Sequence, residues 1–286
     1  MTAPDEVTVR TPDGRALHTR QSGPVDRPVT DVAIVFEAGL GSSGATWGLV
    51  QEITSRTVRS VSYDRAGYGA SDPATDSRGV VELADDLGVV LDSLDERAVV
   101  LVGHSWGGPV VRELAGRERH RERVAALVLV DPSDEASSLY FSWMFAANSA
   151  VQGALRPLLA HTGMLRRTWR TLLSPLPEPW LSDAVSAVTT PTAVRTARAE
   201  DRQLVPSMRA LLQSPPELGD LPVRVLSGQS AQGLERRIRP SLVAAHEARA
   251  AASPNGRLVP APASSHMILL TEPELVAAQA LELAAG

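Results

Sequence analysis

Short apolar segments alternate with longer amphipathic ones along the first half of the chain. Near the N-terminus, EVTVRTPDGRALHTRQSGP alternates apolar and polar residues around the turn signal PDG, which predicts a β-hairpin. The next segment, DVAIVFEAG, is almost wholly apolar, as expected of a strand buried on both faces of a parallel sheet. After another predicted strand, VRSVSYD, an apolar helix face is formed at helical spacing by Leu83, Leu87, Val90, Leu91 and Leu94.

The alternation continues and is then interrupted. AVVLVGHS and VAALVLVD predict strands on either side of a helix, PVVRELAGRER. Residues 134–218 contain no clear strand and several prolines, which predicts a helical insertion. Two further strands, LPVRVLSG and GRLVPAP, and two helices complete the chain. The pattern predicts a doubly wound, mostly parallel sheet of eight strands, with a core at 1–133 and 219–286 and a helical lid at 134–218 after the sixth strand.

The amino-acid composition excludes several catalytic mechanisms and kinds of binding site. The chain has no cysteine and no lysine, and all 28 basic residues are arginine. Disulfides, thiol nucleophiles, Schiff bases and a P-loop lysine are therefore excluded. A net charge of -5, with both signs scattered, argues against a nucleic-acid partner. No segment is apolar over a membrane-spanning length and the N-terminus has no signal-like apolar region, so we expect a cytoplasmic protein without a membrane partner, cofactor or metal.

A serine between two glycines is the first candidate for chemistry. In LVGHSWGGPVV (101–111), Ser105 lies two residues after Gly103 and two before Gly107, between a predicted strand and a predicted helix. This context favours a nucleophile elbow, in which the hydroxyl is exposed at a helix N-terminus. The alternative is a small residue in a tight strand-to-helix turn.

His266 is the candidate base, because it follows the last predicted strand in APASSHMILL. The alternative is an ordinary loop histidine. The other histidines fit less well: His104 adjoins Ser105 but is expected to point away from its side chain, and the rest lie in the hairpin, in the insertion or in helices where we expect solvation. These are His18, His161, His120 and His246.

A Gly-rich loop after an early strand, FEAGLGSS (36–43), is the candidate oxyanion loop. Together with the N–H of Trp106, the residue after the serine, we expect the N–H of Leu40, and next that of Gly41, to stabilise an oxyanion. The alternative is that these glycines only form a turn. Substrate contacts are expected from Gly39, Gly41, His104 and Trp143, although the tryptophans of the insertion fit equally well as packing anchors.

These motifs together resemble the α/β-hydrolase superfamily, in its serine-nucleophile branch with a lid. The resemblance rests on EAGLGSS, YDRAGYGASD, GHSWGG, LVLVDP and SSHMI in that order, and it extends over nearly the whole chain. It implies the predicted sheet and a Ser–His–acid triad. Many members carry His-Gly in the oxyanion loop, where this chain has Ala38-Gly39; that histidine is usually structural, so its absence need not abolish activity.

The acid of the implied triad is the open position. Many members place it after the penultimate strand, but LSGQSAQGLE has no carboxylate there before Glu235. Another branch places it at the end of the preceding strand, which is Asp131 in VLVDPSDE. We favour Asp131; Glu235, Asp134, Glu135 and a missing acid remain alternatives, and Asp131 could instead cap a turn. Asp64 is expected to hold Arg65 or its own turn.

The nucleophile limits the expected reaction. Related epoxide hydrolases and haloalkane dehalogenases use aspartate at the elbow, whereas serine forms an acyl-enzyme. We therefore expect hydrolysis of a carboxylic ester or lactone with a small, apolar substrate. The alternatives are non-ester chemistry on the same scaffold (a cofactor-free haloperoxidase-like activity, a C–C hydrolase or a lyase) and a catalytically degenerate binding protein. Arg166, Arg167 and Arg170 are expected on a solvated helix face, or against an acidic substrate. The oligomeric state stays open.

Overall fold

The predicted strands form one sheet. A computed structural model describes residues 4–24, 31–233 and 235–286. Within these ranges the strands are β1 (Asp5–Arg10), β2 (Ala16–Ser22), β3 (Val32–Glu37), β4 (Arg59–Tyr63), β5 (Ala98–His104), β6 (Val124–Val130), β7 (Val223–Gly228) and β8 (Gly256–Ala261). Their order in the eight-stranded sheet is β1-β2-β4-β3-β5-β6-β7-β8. The β1–β2 and β2–β4 pairs are antiparallel and all the others are parallel, which confirms the predicted fold class.

Helices connect the parallel strands. They are α1 (Gly48–Thr54), α2 (Val80–Asp92), α3 (Gly107–Ala115), α4 (Trp143–His161), α5 (Met164–Leu172), α6 (Trp180–Thr189), α7 (Pro191–Gln213), α8 (Glu235–Ala251), α9 (Ile268–Thr271) and α10 (Pro273–Ala284). Short 3₁₀ turns occupy Gly44–Trp47, Glu118–His120 and Ser138–Phe141. No helix in the described part of the chain is long and apolar enough to cross a bilayer.

The sheet is buried on both faces, which explains the continuous apolar run of its central strand. Alternate residues of a strand point to opposite faces. In β5, Val99 and Leu101 belong to the apolar cluster that includes residues of α2 and α3. Val100 and Val102 belong to the cluster on the other face, with residues of α1 and α10. Two-sided burial holds the carboxyl ends of β5 and β6 side by side, which positions the loops that follow them.

The helices α4–α7, here called the helical insertion, lie between β6 and β7. Residues 134–218 are all described and contain helices and turns but no strand. Trp180 anchors the insertion: it is 5% exposed, and its indole N–H donates to Glu52 Oε1 at 2.8 Å. By contrast, α4 contributes no buried residue, and Trp143 at its first turn is 79% exposed. The tryptophans of the insertion therefore differ in role, and Trp180 is a packing anchor.

Candidate active site

Ser105 occupies a strained turn between β5 and α3. Its φ is 52°, a left-handed conformation that costs free energy for a residue with a side chain. The flanking glycines are required by contact: a Cβ on Gly103 would lie 2.5 Å from the carbonyl oxygen of Gly107, and one on Gly107 would lie 2.5 Å from that of Glu37. The Ser105 N–H donates to the Val130 carbonyl at 3.0 Å. The backbone thus holds the serine at the carboxyl edge of the sheet.

Asp131 and His266 meet beside this turn. Asp131 follows β6 and also has a positive φ, 40°. The imidazole Nδ1 of His266, in the loop after β8, lies 2.8 Å from Asp131 Oδ2. A carboxylate only accepts, so Nδ1–H is the donor, and in the neutral ring Nε2 is then unprotonated. His266 and Ser105 line the same cavity, which brings the predicted base and nucleophile together.

The carboxylate of Asp131 is fully engaged. It is 2% exposed, and besides His266 it accepts from the Gly228 N–H at 3.0 Å and from Arg239 Nη1 at 2.7 and 2.9 Å. Burial by itself would raise the pKa of Asp131. The hydrogen bond from His266 and the electrostatic interactions with His266, His246 and Arg239 outweigh burial and hold that pKa well below its usual range. Asp131 is therefore ionised at neutral pH and can stabilise an imidazolium.

The alternative acids have other partners. Glu235 accepts from Arg239 and from the Ser265 hydroxyl. Asp134 and Glu135 are buried and hold two arginines, with Arg249 at 2.7 Å from Asp134 and Arg112 at 2.7 Å from Glu135. Among the described residues, Asp131 is the carboxylate that accepts from the His266 ring.

His104 packs against the ring of His266 and donates a hydrogen bond to its backbone carbonyl. It is 5% exposed, its ring centroid lies 4.7 Å from that of His266, and its Nε2–H donates to the His266 carbonyl at 3.0 Å. Burial, with the nearby charge of His266, lowers the pKa of His104 to about 3, so its ring is neutral. His104 is not among the residues that line the cavity. Its expected contact with substrate therefore has no support, and its observed contact is with the His266 loop.

The Gly-rich loop packs directly on the serine turn. A Cβ on Gly39 would lie 3.4 Å from Ser105 Cβ and 3.1 Å from His104 Nδ1, so a glycine lets the loop approach this closely. The Gly41 N–H donates to Glu200 Oε2 at 3.3 Å. No described residue accepts a hydrogen bond from the N–H of Leu40 or Trp106. Leu40 and Trp106 therefore keep free donors beside the serine, whereas the second choice, Gly41, has a committed one.

A buried ion-pair network supports this loop. Arg65, which is 1% exposed, donates to the Gly39 carbonyl and lies 3.5 Å from Glu37 and 3.4 Å from Glu200 of α7. Burial raises the pKa of Glu37 to about 7 in spite of the nearby guanidinium. Tyr68 O–H also donates to Glu200, at 3.1 Å. The helical insertion is thereby connected to the loop that carries Leu40.

Of the two roles expected for Asp64, to hold Arg65 or its own turn, the contact with Arg65 is not formed. The Asp64 carboxylate instead lies 3.1 Å from Arg20 and 3.4 Å from His18, and accepts from the Gly44 N–H at 3.1 Å. It also lies against its own turn, since a Cβ on Gly69 would lie 2.0 Å from its Oδ2.

The cavity lies between the sheet edge and the helical insertion. It has a volume of about 390 Å³, and its wall combines Ser105, His266 and Leu40 with residues of α4 and α7. Of the expected substrate contacts, Gly39, Gly41, His104 and Trp143 are not among its lining residues. The insertion instead contributes Phe145, Arg156, Arg198 and Leu204. Phe145, and not Trp143, is therefore the aromatic residue of α4 that lines the cavity.

Two histidines expected in solvent are buried. His246 is 0% exposed; its ring bonds to the Ser227 hydroxyl and the Pro132 carbonyl, both at 2.9 Å, and lies 4.0 Å from Asp131. His120 is 4% exposed. The burial of His246 could have been predicted from its spacing of four residues from Leu242 and from Ala250, because this spacing places all three on one face of α8. No cluster of three or more potential metal ligands occurs among the described residues.

Comparison with known proteins identifies the family and the fold. The chain belongs to the alpha/beta hydrolase family, whose model matches residues 34–279. It is similar over its full length to a solved hydrolase from Pseudomonas aeruginosa PA01, with a TM-score of 0.71, 21% identity and 100% of both chains covered. An epoxide hydrolase mutant from Vigna radiata gives a TM-score of 0.77 with 16% identity, covering 100% of this chain and 99% of that one. At these identities the likeness shows the fold alone.

Curated relatives match over a shorter region. A non-heme chloroperoxidase from Streptomyces lividans is 32% identical over 127 residues, which are 44% of this chain and 45% of that protein. One from Burkholderia pyrrocinia is 33% identical over 124 residues, 43% of each. The chain spans less than half the length of the curated relatives that it matches.

Proposed function

We propose that the protein is a serine hydrolase that cleaves a carboxylic ester or lactone through an acyl-enzyme on Ser105. The observation that carries this proposal is the 2.8 Å hydrogen bond from His266 Nδ1 to the ionised Asp131, in a histidine that shares a cavity with Ser105. It fixes the tautomer in which Nε2 can accept a proton.

The proposed reaction has two halves. His266 Nε2 takes the proton of the Ser105 hydroxyl as its oxygen attacks the carbonyl carbon, and the N–H groups of Leu40 and Trp106 stabilise the oxyanion. Collapse expels the alcohol, which receives the proton from His266. A water molecule then attacks the acyl-enzyme with His266 again as base, which releases the acid and regenerates Ser105.

The cavity supports a small substrate with an apolar portion. Its volume of about 390 Å³ is near the low end of ligand pockets, and Leu139, Tyr140 and Phe145 form part of its wall. Tyr140 and Phe145 pack edge to face with ring centroids 5.3 Å apart. An alkyl or aryl group can bury apolar surface there while the carbonyl faces Ser105.

The nucleophile separates this proposal from epoxide opening. The fold is similar to that of an epoxide hydrolase, but an elbow serine would form a stable ether with an epoxide carbon, which water cannot readily hydrolyse. A second candidate is peroxide-dependent halide oxidation, which the similarity to the Streptomyces lividans non-heme chloroperoxidase favours. It predicts turnover that requires peroxide and halide, whereas ester hydrolysis requires only water.

The test is hydrolysis of para-nitrophenyl butyrate without peroxide. We expect turnover by the native chain and a loss of about 10⁴-fold or more in kcat in both Ser105→Ala and His266→Ala, because triad members act as a unit. Ser214→Ala and His161→Ala are matched controls, since both residues are exposed and outside the cavity wall. Native-like kcat in Ser105→Ala would contradict the proposal.

A further inference from the structure

Two arginines of the cavity wall have no hydrogen-bond or ion-pair partner among the described residues. Arg156 of α4 and Arg198 of α7 line the cavity that contains Ser105 and His266. Neither makes a hydrogen bond or ion pair with any residue that the structure describes, whereas the third arginine of the wall, Arg239, bonds to Asp131 and Glu235. Arg156 is half-buried, so its guanidinium has lost part of its hydration without receiving an acceptor in exchange.

The Arg156 guanidinium lies against the oxyanion loop. A Cβ built on Gly41 would be 3.2 Å from Arg156 Nη1 and 3.8 Å from Nη2. Gly41 follows Leu40, whose N–H is free, so the guanidinium lies one residue from the proposed oxyanion donor. Arg156 and Ser105 line the same cavity of about 390 Å³, so one small molecule can contact both.

No described carboxylate forms an ion pair with Arg156 or Arg198. Glu235 is held by Arg239, and Asp201 accepts from the Ser149 hydroxyl at 2.5 Å. Glu200 lies close to the same loop but is paired with Arg65 at 3.4 Å. Arg156 and Arg198 are thus left without an ion-pair partner among the described residues, and both are in the wall of the cavity that contains Ser105.

We propose that Arg156 and Arg198 bind a carboxylate of the substrate, so that the substrate is an ester or lactone that also carries an anionic carboxylate. This inference rests on the proposed function and adds the substrate class. A guanidinium matches a carboxylate with two parallel N–H···O bonds, and such charge-assisted bonds are stronger than neutral ones. The apolar wall holds the chain that joins the carboxylate to the scissile carbonyl.

The first experiment compares two esters that differ in one charge. They are mono-para-nitrophenyl adipate, which has a free carboxylate, and its methyl ester, in which that carboxylate is blocked. We expect the native chain to prefer the free carboxylate in kcat/KM. In Arg156→Gln the ratio of the two kcat/KM values should fall about ten- to a hundredfold. In Arg166→Gln, a matched control with an exposed arginine of α5 outside the cavity wall, the ratio should stay at its native value.

The second experiment measures binding without turnover. Adipate itself is titrated calorimetrically into the native chain, Arg156→Gln, Arg198→Gln and Arg166→Gln. We expect weaker binding in the first two variants only, and this result would support the subsite even if the esters are not hydrolysed. Ser105-dependent hydrolysis with no preference for the free carboxylate, and equal or absent adipate binding in all four proteins, would overturn the subsite and leave the proposed function standing.

Discussion

Arg239 Nη1 donates to both carboxylate oxygens of Asp131, at 2.7 Å to Oδ1 and at 2.9 Å to Oδ2, the oxygen that also accepts from His266 Nδ1. The carboxylate that orients His266 is therefore also half of a buried ion pair. The second guanidinium nitrogen, Nη2, donates to Glu235 and, at 3.3 Å, to the Ser265 hydroxyl. One side chain of α8 thus fixes the residue before His266 and the acid that holds it.

Arg239→Gln should misplace the Asp131–His266 pair. The variant leaves a buried carboxylate without its cation, and a displacement of about 1 Å in a catalytic group can cost on the order of 10²-fold in rate. We expect kcat for para-nitrophenyl butyrate to fall by about that factor. Arg239→Lys should recover only part of the loss, because an ammonium lacks the two-pronged geometry. Equal kcat in the native chain and Arg239→Gln would contradict a positioning role.

Asp131→Asn should lower stability in a pH-dependent way. Its folded-state pKa lies below the unfolded value of about 4, so its contribution is fully present above that pH and is lost as the pH falls through the folded pKa. We expect a loss of about 3 kcal/mol in unfolding free energy at pH 7, because the cation of Arg239 stays buried. In urea unfolding from pH 7 downward, the difference from the native chain should shrink below about pH 4. If the difference in unfolding free energy stays constant over this pH range, Asp131 does not have a lowered pKa in the folded protein.

Gly107→Ala should destabilise the fold, because the new methyl group would lie 2.5 Å from the Glu37 carbonyl oxygen and 2.7 Å from that of Ala38. These are backbone atoms of the adjoining strand and loop, so relief requires the strand or the serine turn to move. We expect a loss of about 3 kcal/mol, at the upper end for overpacking. Gly153→Ala is the control: it lies in α4 with no atom within 4 Å of an added Cβ. That variant should gain up to about 1 kcal/mol from helix propensity. Thermal unfolding of both variants makes the comparison.

Glu200→Gln should weaken the link between the helical insertion and the oxyanion loop. The charge that pairs with Arg65 disappears, while an amide can still accept from Gly41 and Tyr68. Breaking a buried pair costs about 3–5 kcal/mol. We expect a lower Tm and a kcat for para-nitrophenyl butyrate reduced more than KM is raised, because the loop acts on the transition state. Glu217→Gln, at an exposed position, is the control. A native Tm in Glu200→Gln would show that the link is unimportant.

The sequence patterns were sufficient to predict the strands of the sheet, but they did not predict the side-chain contacts around the candidate active site. Continuous apolar runs such as VVLV in β5 can be read locally because a strand buried on both faces needs them. The glycines around Ser105 are equally local. Arg239 and Asp131, however, are 108 residues apart, and Glu200 and Gly41 are 159 apart. Periodicity along one element carries no information about such pairs.

The burial and the direction of single side chains on helices were harder to predict from the sequence than the strands were. His246 was expected in solvent because its helix is rich in charge and alanine, yet its ring has hydrogen-bond partners at both nitrogens. Trp143 was expected at substrate because aromatic residues often line pockets, but α4 turns it outward and places Phe145 in the wall. Both errors arise from rotation of a helix about its axis, which the tertiary contacts of neighbouring elements determine.

Covalent trapping tests the central claim, that Ser105 is a nucleophile activated by His266 and Asp131. The native chain is incubated with a fluorophosphonate, digested and analysed by peptide mass spectrometry. We expect one adduct on Ser105, no adduct in Ser105→Ala, and labelling slowed by orders of magnitude in His266→Ala. No adduct on the folded native chain, or an adduct on a different residue, would contradict it.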